Sequence, residues 1–190
     1  VQYLRRNGNP GGWFGDSSRS GGGPLIDLGV HVIDFVRFLK GRPKAVSVYG
    51  ATFQKLFDRK NIRSSKDYVS SGATGNDICD VEDLASALVR FEDGSVLSVE
   101  ASFSLNIKHD EGKMIFCGTK AGASLNPELE LYSDLDGYMT DVTLKTETTM
   151  NLGSMFRQEI NHYVDCILNG TKCISPAEDG VEMMKILNAI

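Results

Sequence analysis

Residues 25–39 constrain the fold most, because ten of these fifteen positions are Leu, Ile, Val or Phe. A helix this apolar must be covered on most of its sides. Pro24 stands at its first position, Lys40-Gly41 supply a basic last turn and a C-cap glycine, and Pro43 lies beyond. The spacing therefore predicts a buried helix over 25–39. Asp27, His31, Asp34 and Arg37 are its polar exceptions. Ahead of it, residues 5–23 are rich in Gly, Asn and Ser, with Trp13 and Phe14 as their only large apolar residues. That stretch reads as a long loop, a feature often kept for function.

Alternating patterns follow the helix. They run over 45–51, 81–91 and 95–103, the last two joined by Glu92-Asp93-Gly94, a strong hairpin signal. A polar loop fills 57–78. Residues 113–117 read as a short strand turned by Gly118-Thr119-Lys120-Ala121-Gly122 into another at 123–125, with further strands at 129–132 and 139–144. Apolar residues three and four apart return over 155–168, where Asn169-Gly170 closes a helix, and Ser175-Pro176 opens a last one. The order predicts an α+β fold with an open, mostly antiparallel sheet and helices packed on one face, forming a single domain over 1–190. In 95–103, Leu97, Val99, Ala101 and Phe103 would face the helices. Ser98, Glu100 and Ser102 would form a polar, small-residue face, either solvated or suited to two-fold pairing in a homo-oligomer.

Charge narrows the function classes. Twenty Lys and Arg against twenty-five Asp and Glu give a net charge of −5, without the basic stripe of a nucleic-acid binder. No apolar run approaches the ~20 residues that span a bilayer. Cys79, Cys117, Cys166 and Cys173 form no C-x-x-C pair and no zinc-motif spacing, so they read as reduced small hydrophobes in a cytoplasmic protein with no metal. The chain opens at Val1, and only residues 1–4 look strand-like before turn chemistry begins, as expected of a piece of a longer protein.

One pair of residues invites chemistry. Asp27 and His31 are four apart, so they share a helix face and can touch. A carboxylate beside an imidazole orients it and suits it to act as a general base. The same pair could be a buried histidine satisfied by its neighbour, or, with Asp34, part of a metal site completed from elsewhere. Gly21, Gly22 and Gly23 allow close backbone approach or a tight turn into Pro24. Trp13 could stack on a sugar or pack the loop, and His109 could touch substrate or lie on the surface; His162 reads as structural.

The run from Gly21 through Asp27, Gly29 and His31 to Asp34 resembles the G-G-G-x-x-x-D-x-G-x-H-x-x-D signature of the Gfo/Idh/MocA oxidoreductases, which include glucose–fructose oxidoreductase and inositol dehydrogenase. Val81-Glu82-Asp83-Leu84-Ala85 through Phe91-Glu92-Asp93-Gly94-Ser95 is similar to the family's hairpin. Residues 115–122 resemble its I-x-G-T-x-G turn, and 156–160, 178–180 and 187–190 its closing helices. The resemblance implies the family's C-terminal domain, of the dihydrodipicolinate-reductase-like type, without the N-terminal Rossmann domain and its E-K-P lysine. It makes His31 the proton acceptor from a sugar or polyol hydroxyl and Asp27 its support, and it places the loop that carries His109 near the substrate. It implies NAD or NADP in the parent protein and none bound to this chain, which would be inactive alone. A non-catalytic binding member, or a redox-neutral enzyme on the same scaffold, is the alternative.

Overall fold

The computed structural model describes residues 1–56, 59, 68–125, 128–144 and 151–190; much of the polar loop predicted over 57–78 therefore lies outside the described residues. Two compact units form, Val1–Met114 with Glu182–Ile190, and Ile115–Val181.

The first unit carries β1 (Gln2–Leu4), β2 (Ala45–Phe53), β3 (Leu84–Phe91), β4 (Val96–Ser102) and the first residues of β5 (Glu111–Cys117). Their order is β2-β3-β4-β1-β5. The β3–β4 turn forms where Asp93-Gly94 predicts it, with Gly94 at φ 83 and the Gly94 N–H donating to the Phe91 carbonyl at 3.0 Å. The antiparallel register of β2, β3 and β4 lines up Val48, Val89 and Leu97, then Gly50, Ala87 and Val99, then Thr52, Ala85 and Ala101 across one face. Ala85, Val89, Val99 and Ala101 are sealed from solvent. Small residues in these rows let the helices come close. An added Cβ on Gly50 would lie 2.8 Å from Ile190. On the opposite face Tyr49, Leu88 and Ser98 stand in one exposed row. Ser102 departs from the predicted polar outer face. It is fully buried, and its hydroxyl accepts from the Arg5 N–H at 3.0 Å because β1 runs alongside.

The predicted helix starts differently from a regular one. Residues Leu25–Gly29 make a π-helical turn, in which the Val30 N–H donates to the Leu25 carbonyl, and this continues into α2, Val30–Leu39. (α1 is the short helix Ser17–Ser20, N-capped by Asp16; with the 3-10 turn Gly12–Gly15 it gives structure to the stretch read as a long loop.) The expectation that the helix is buried on most sides is corrected. Val32, Ile33 and Val36 are buried, while Phe35, Phe38 and Leu39 face outward. Arg37 is buried too, at 1% exposure. Its charge finds company in α4 (Ala177–Ala189), where the Glu182 carboxylate is held below its usual range chiefly by a hydrogen bond from Lys185, with Lys44 and Arg37 adding attraction. At the far end of α2, the Lys40 ammonium lies 3.0 Å from the Asp93 carboxylate and over the Phe91 ring, which ties the helix to the β3–β4 turn. The core next to the π turn gathers Leu28, Val81, Ala101 and Phe103, with Tyr3 packed against it.

The second unit contains β6 (Gly122–Leu125), β7 (Leu129–Leu135) and β8 (Tyr138–Val142), an antiparallel meander, and α3 (Leu152–Asn169). Asp136 and Gly137 both take left-handed backbone conformations, at φ 52 and 82, and close the β7–β8 hairpin in two residues. Asn151 caps the start of α3, and Gly170 at φ 66 ends it where Asn169-Gly170 predicts. The fold is thus α+β with mostly antiparallel strands. Among the described residues, no helix is long and apolar enough to cross a membrane.

Candidate functional site

The π turn places the chemistry. A π turn holds one residue more than an α turn and recurs at functional positions. It sits against β4, with an added Cβ on Gly29 lying 3.5 Å from Ala101. The turn is anchored at its start by a residue that sequence reasoning passed over. Glu82 accepts from the Gly23 N–H at 2.9 Å and the Leu25 N–H at 3.1 Å, so one carboxylate satisfies two donors that the helix itself cannot pair. The glycine run is explained by the same contact. Gly21 takes φ 78 to end α1, and a Cβ on Gly23 would meet the Glu82 carbonyl oxygen at 2.6 Å.

Asp27 is half-buried and His31 exposed, one turn apart. Burial pushes the Asp27 carboxyl above its ordinary range, while the nearby His31 and Arg5 pull it back. The Asp27 N–H donates to the Gly23 carbonyl at 3.0 Å, which links the acid directly to the Glu82-anchored turn. Arg5 is the other residue the sequence reading missed. It follows β1, its guanidinium donates to the Tyr3 hydroxyl at 3.0 Å and lies over the Tyr3 ring, and its backbone is pinned to Ser102. His31 and Arg5 therefore both act electrostatically on the Asp27 carboxylate. The arrangement can accept a proton at the exposed imidazole and hold the resulting charge against a carboxylate.

The other candidates go elsewhere. Trp13 stacks on Phe14 with ring centroids 4.2 Å apart, and Phe14 meets Tyr68 edge-on, so the aromatic pair packs the loop. His109 pairs with Glu111 at 3.1 Å on the surface. Beside Arg5 along the chain, a cavity of about 210 Å³ is lined by Asn7, Asn9, Arg59, Asp77, Asp83 and Ser104 among others. Its walls are well ordered by Asp77, which accepts from the Gly12 N–H at 2.8 Å and from Thr74; these bonds lower its carboxyl to about 2. Asp83 is buried and receives the Lys55 and Leu56 N–H groups.

The glycine-rich entry to the π turn is where a dinucleotide pyrophosphate would be sought. Those N–H groups are already taken by Glu82, which also places a negative charge there. A pyrophosphate does not fit that position. In the second unit, His162, Cys166 and Cys173, read separately in the sequence, come together within 4.8 Å. None of the four cysteines is in a disulfide.

The chain is 33% identical to D-glucoside 3-dehydrogenase of Escherichia coli strain K12 over its whole length, which is 52% of that protein. It thus spans about half the length of that curated relative. Levoglucosan dehydrogenase in complex with NADH and levoglucosan superposes with a TM-score of 0.76 at 22% identity, covering 100% of this chain and 54% of that one. Aldose-aldose oxidoreductase from Caulobacter crescentus, complexed with glycerol, gives 0.72 at 20% identity, covering 99% and 50%. Residues 1–124 match the model of the GFO/IDH/MocA C-terminal domain. The chain belongs to the GFO/IDH/MocA oxidoreductase family.

Proposed function

We propose that this chain is the substrate-binding and proton-accepting domain of an NAD(P)-dependent oxidoreductase that acts on a secondary hydroxyl of a sugar or polyol. The observation that carries the reading is the exposed His31 imidazole one turn from the half-buried Asp27 carboxylate, on a turn fixed by Glu82. A bound nicotinamide would supply the hydride acceptor for the carbinol carbon. His31 takes the hydroxyl proton from the same carbinol, so that the C–H and O–H bonds break and a C=O bond forms. Asp27 holds the imidazole in place and stabilises the imidazolium, and the charges of His31 and Arg5 offset part of what burial does to the Asp27 carboxyl. The cofactor is held by an N-terminal Rossmann domain outside this chain, since the glycine-rich turn here is closed by a carboxylate. The chain alone is therefore inactive, and four cysteines with no disulfide among them suit a cytoplasmic location.

Substrate hydroxyls meet a polar surface in this reading. Trp13 and His109 would serve as substrate contacts only by leaving their present partners, Phe14 and Glu111. Pairing of two copies through the outer face of β2, β3 and β4, where Tyr49 is 80% exposed, completes the assembly. Light scattering across a concentration series tests that: a mass that stays at one chain refutes it.

The decisive experiment uses the whole protein, with NAD(P)+ reduction followed over a panel of sugars and polyols. His31→Ala is expected to lower kcat by about 10²–10⁴, the usual share of a general base. Wild-type turnover in that variant, with the fold intact by circular dichroism, would remove His31 from the reaction.

A further inference from the structure

His162 and Cys166 lie one turn apart on α3, and Cys173 arrives from the segment after it. We infer that these three side chains bind one Zn²⁺ ion, with the fourth position open to water. The imidazole nitrogen and both sulfurs lie within 4.8 Å of one another. The Cys166 Sγ is 3.5 Å from the His162 Nε2. A tetrahedral zinc with Zn–S of about 2.3 Å and Zn–N of about 2.0–2.1 Å has an S···N edge of about 3.6 Å, so that pair already stands at ligand spacing.

The chain is folded to bring the third ligand in. Gly170 turns the backbone in the left-handed region at φ 66, and Asp165 then accepts from Asn169 Nδ2 at 2.6 Å and from the Thr171 hydroxyl. The His162 Nε2 accepts from the Ile174 N–H at 3.1 Å. An Nε2 that accepts leaves the neutral ring's proton on Nδ1, the tautomer a metal at Nε2 requires, and the ion would displace the Ile174 N–H from that single lone pair.

The donor set selects the ion. One imidazole and two thiols suit Zn²⁺ and are poor ligands for Mg²⁺ or Ca²⁺, which take oxygen. The bound ion would clip the end of α3 to residues 171–174. No side chain of α3 is buried, so the clip would hold this helix end where apolar burial does not.

The test is a titration of the chelator-stripped, reduced chain with Co²⁺ alone, followed by Zn²⁺. Expected are one equivalent of cobalt with strong tetrahedral d–d bands and thiolate charge transfer in the near ultraviolet, bleached by zinc. His162→Ala, Cys166→Ser and Cys173→Ser should each weaken binding by more than about 100-fold, beyond the roughly 10–100-fold that loss of an outer hydrogen-bond partner costs. Cys79→Ser and Cys117→Ser should leave it unchanged, and circular dichroism would verify that the variants fold. Only weak octahedral bands from the reduced chain, tetrahedral bands that persist in Cys173→Ser, or a Cys166–Cys173 disulfide forming in a chain that takes up no metal when reduced would each overturn the site.

Discussion

Replacing Glu82 with Ala tests the proposed anchoring of the active helix. The substitution strips acceptors from two N–H groups, those of Gly23 and Leu25, at 2.9 and 3.1 Å. Loss of an N-terminal cap costs about 0.5–2 kcal/mol. Loss of a carboxylate at the positive end of a helix adds about 0.3–1 kcal/mol. The sum, about 1–3 kcal/mol, corresponds to a Tm lower by roughly 2–12 °C for a domain of this size. Glu82→Gln retains one acceptor oxygen but turns an amide N–H toward the other donor, so it should lose at least half as much. Urea unfolding followed by tryptophan fluorescence suits the measurement, because Trp13 is the only tryptophan and sits in the first unit. In the whole protein, kcat should fall with little change in unfolding slope, since Asp27 hangs from the Gly23 carbonyl. A Glu82→Ala chain within about 0.3 kcal/mol of wild type would refute the anchoring argument.

Gly23→Ala should destabilise by about 1–3 kcal/mol, because its Cβ would press on the Glu82 backbone oxygen, which cannot swing away; thermal denaturation reads this directly. Asp27→Asn is expected to abolish most activity while leaving Tm at pH 7 equal or higher. The Asp27 pKa is raised by burial, so its ionised form opposes folding above the ordinary aspartate range, and the variant's advantage should vanish as pH falls below that range. Asp77 carries the opposite sign. Its pKa is lowered from 3.8 to about 2, so its contribution is present above 3.8 and is lost as pH falls toward 2; Asp77→Asn should flatten an acid titration of loop opening in that window, monitored by Trp13 fluorescence.

The helix over 25–39 was readable because its apolar content, Pro24 and Gly41 all agree on one element. Its π turn was not, since five residues carry too little periodicity to separate a 3.6 from a 4.4 repeat. Asp27 and His31 were legible for a similar local reason, being four apart on one element. Glu82 and Arg5 were hidden because each reaches the site from a distant stretch; Glu82 is 59 positions from Gly23. The Asp-Gly rule that reads the β3–β4 turn applies equally to Asp136-Gly137, where the alternation on either side is too weak to draw attention. His162, Cys166 and Cys173 obey no short motif, because the last ligand is delivered by a left-handed turn and side-chain bonds. Arg37 stood out as a polar exception on that helix, but the opposing charge it acts on, Glu182, comes from the far end of the chain.

β1 is only three residues long, yet both of its sides are occupied. Gln2, Tyr3 and Leu4 run parallel to Glu100, Ala101 and Ser102 on one side, and antiparallel to Lys113, Gly112 and Glu111 on the other. The β3–β4 hairpin can zip locally, whereas β1 must find a partner almost a hundred positions away, so loop closure favours its arrival last. Until it arrives, β4 and β5 each show a bare row of backbone donors and acceptors across a gap one strand wide. Such a gap is open to any extended segment of the right side-chain alternation, including the same strand from a second copy. The smallest strand of the unit thus works as a plug, and its tethering governs whether a newly made chain closes on itself or on its neighbour.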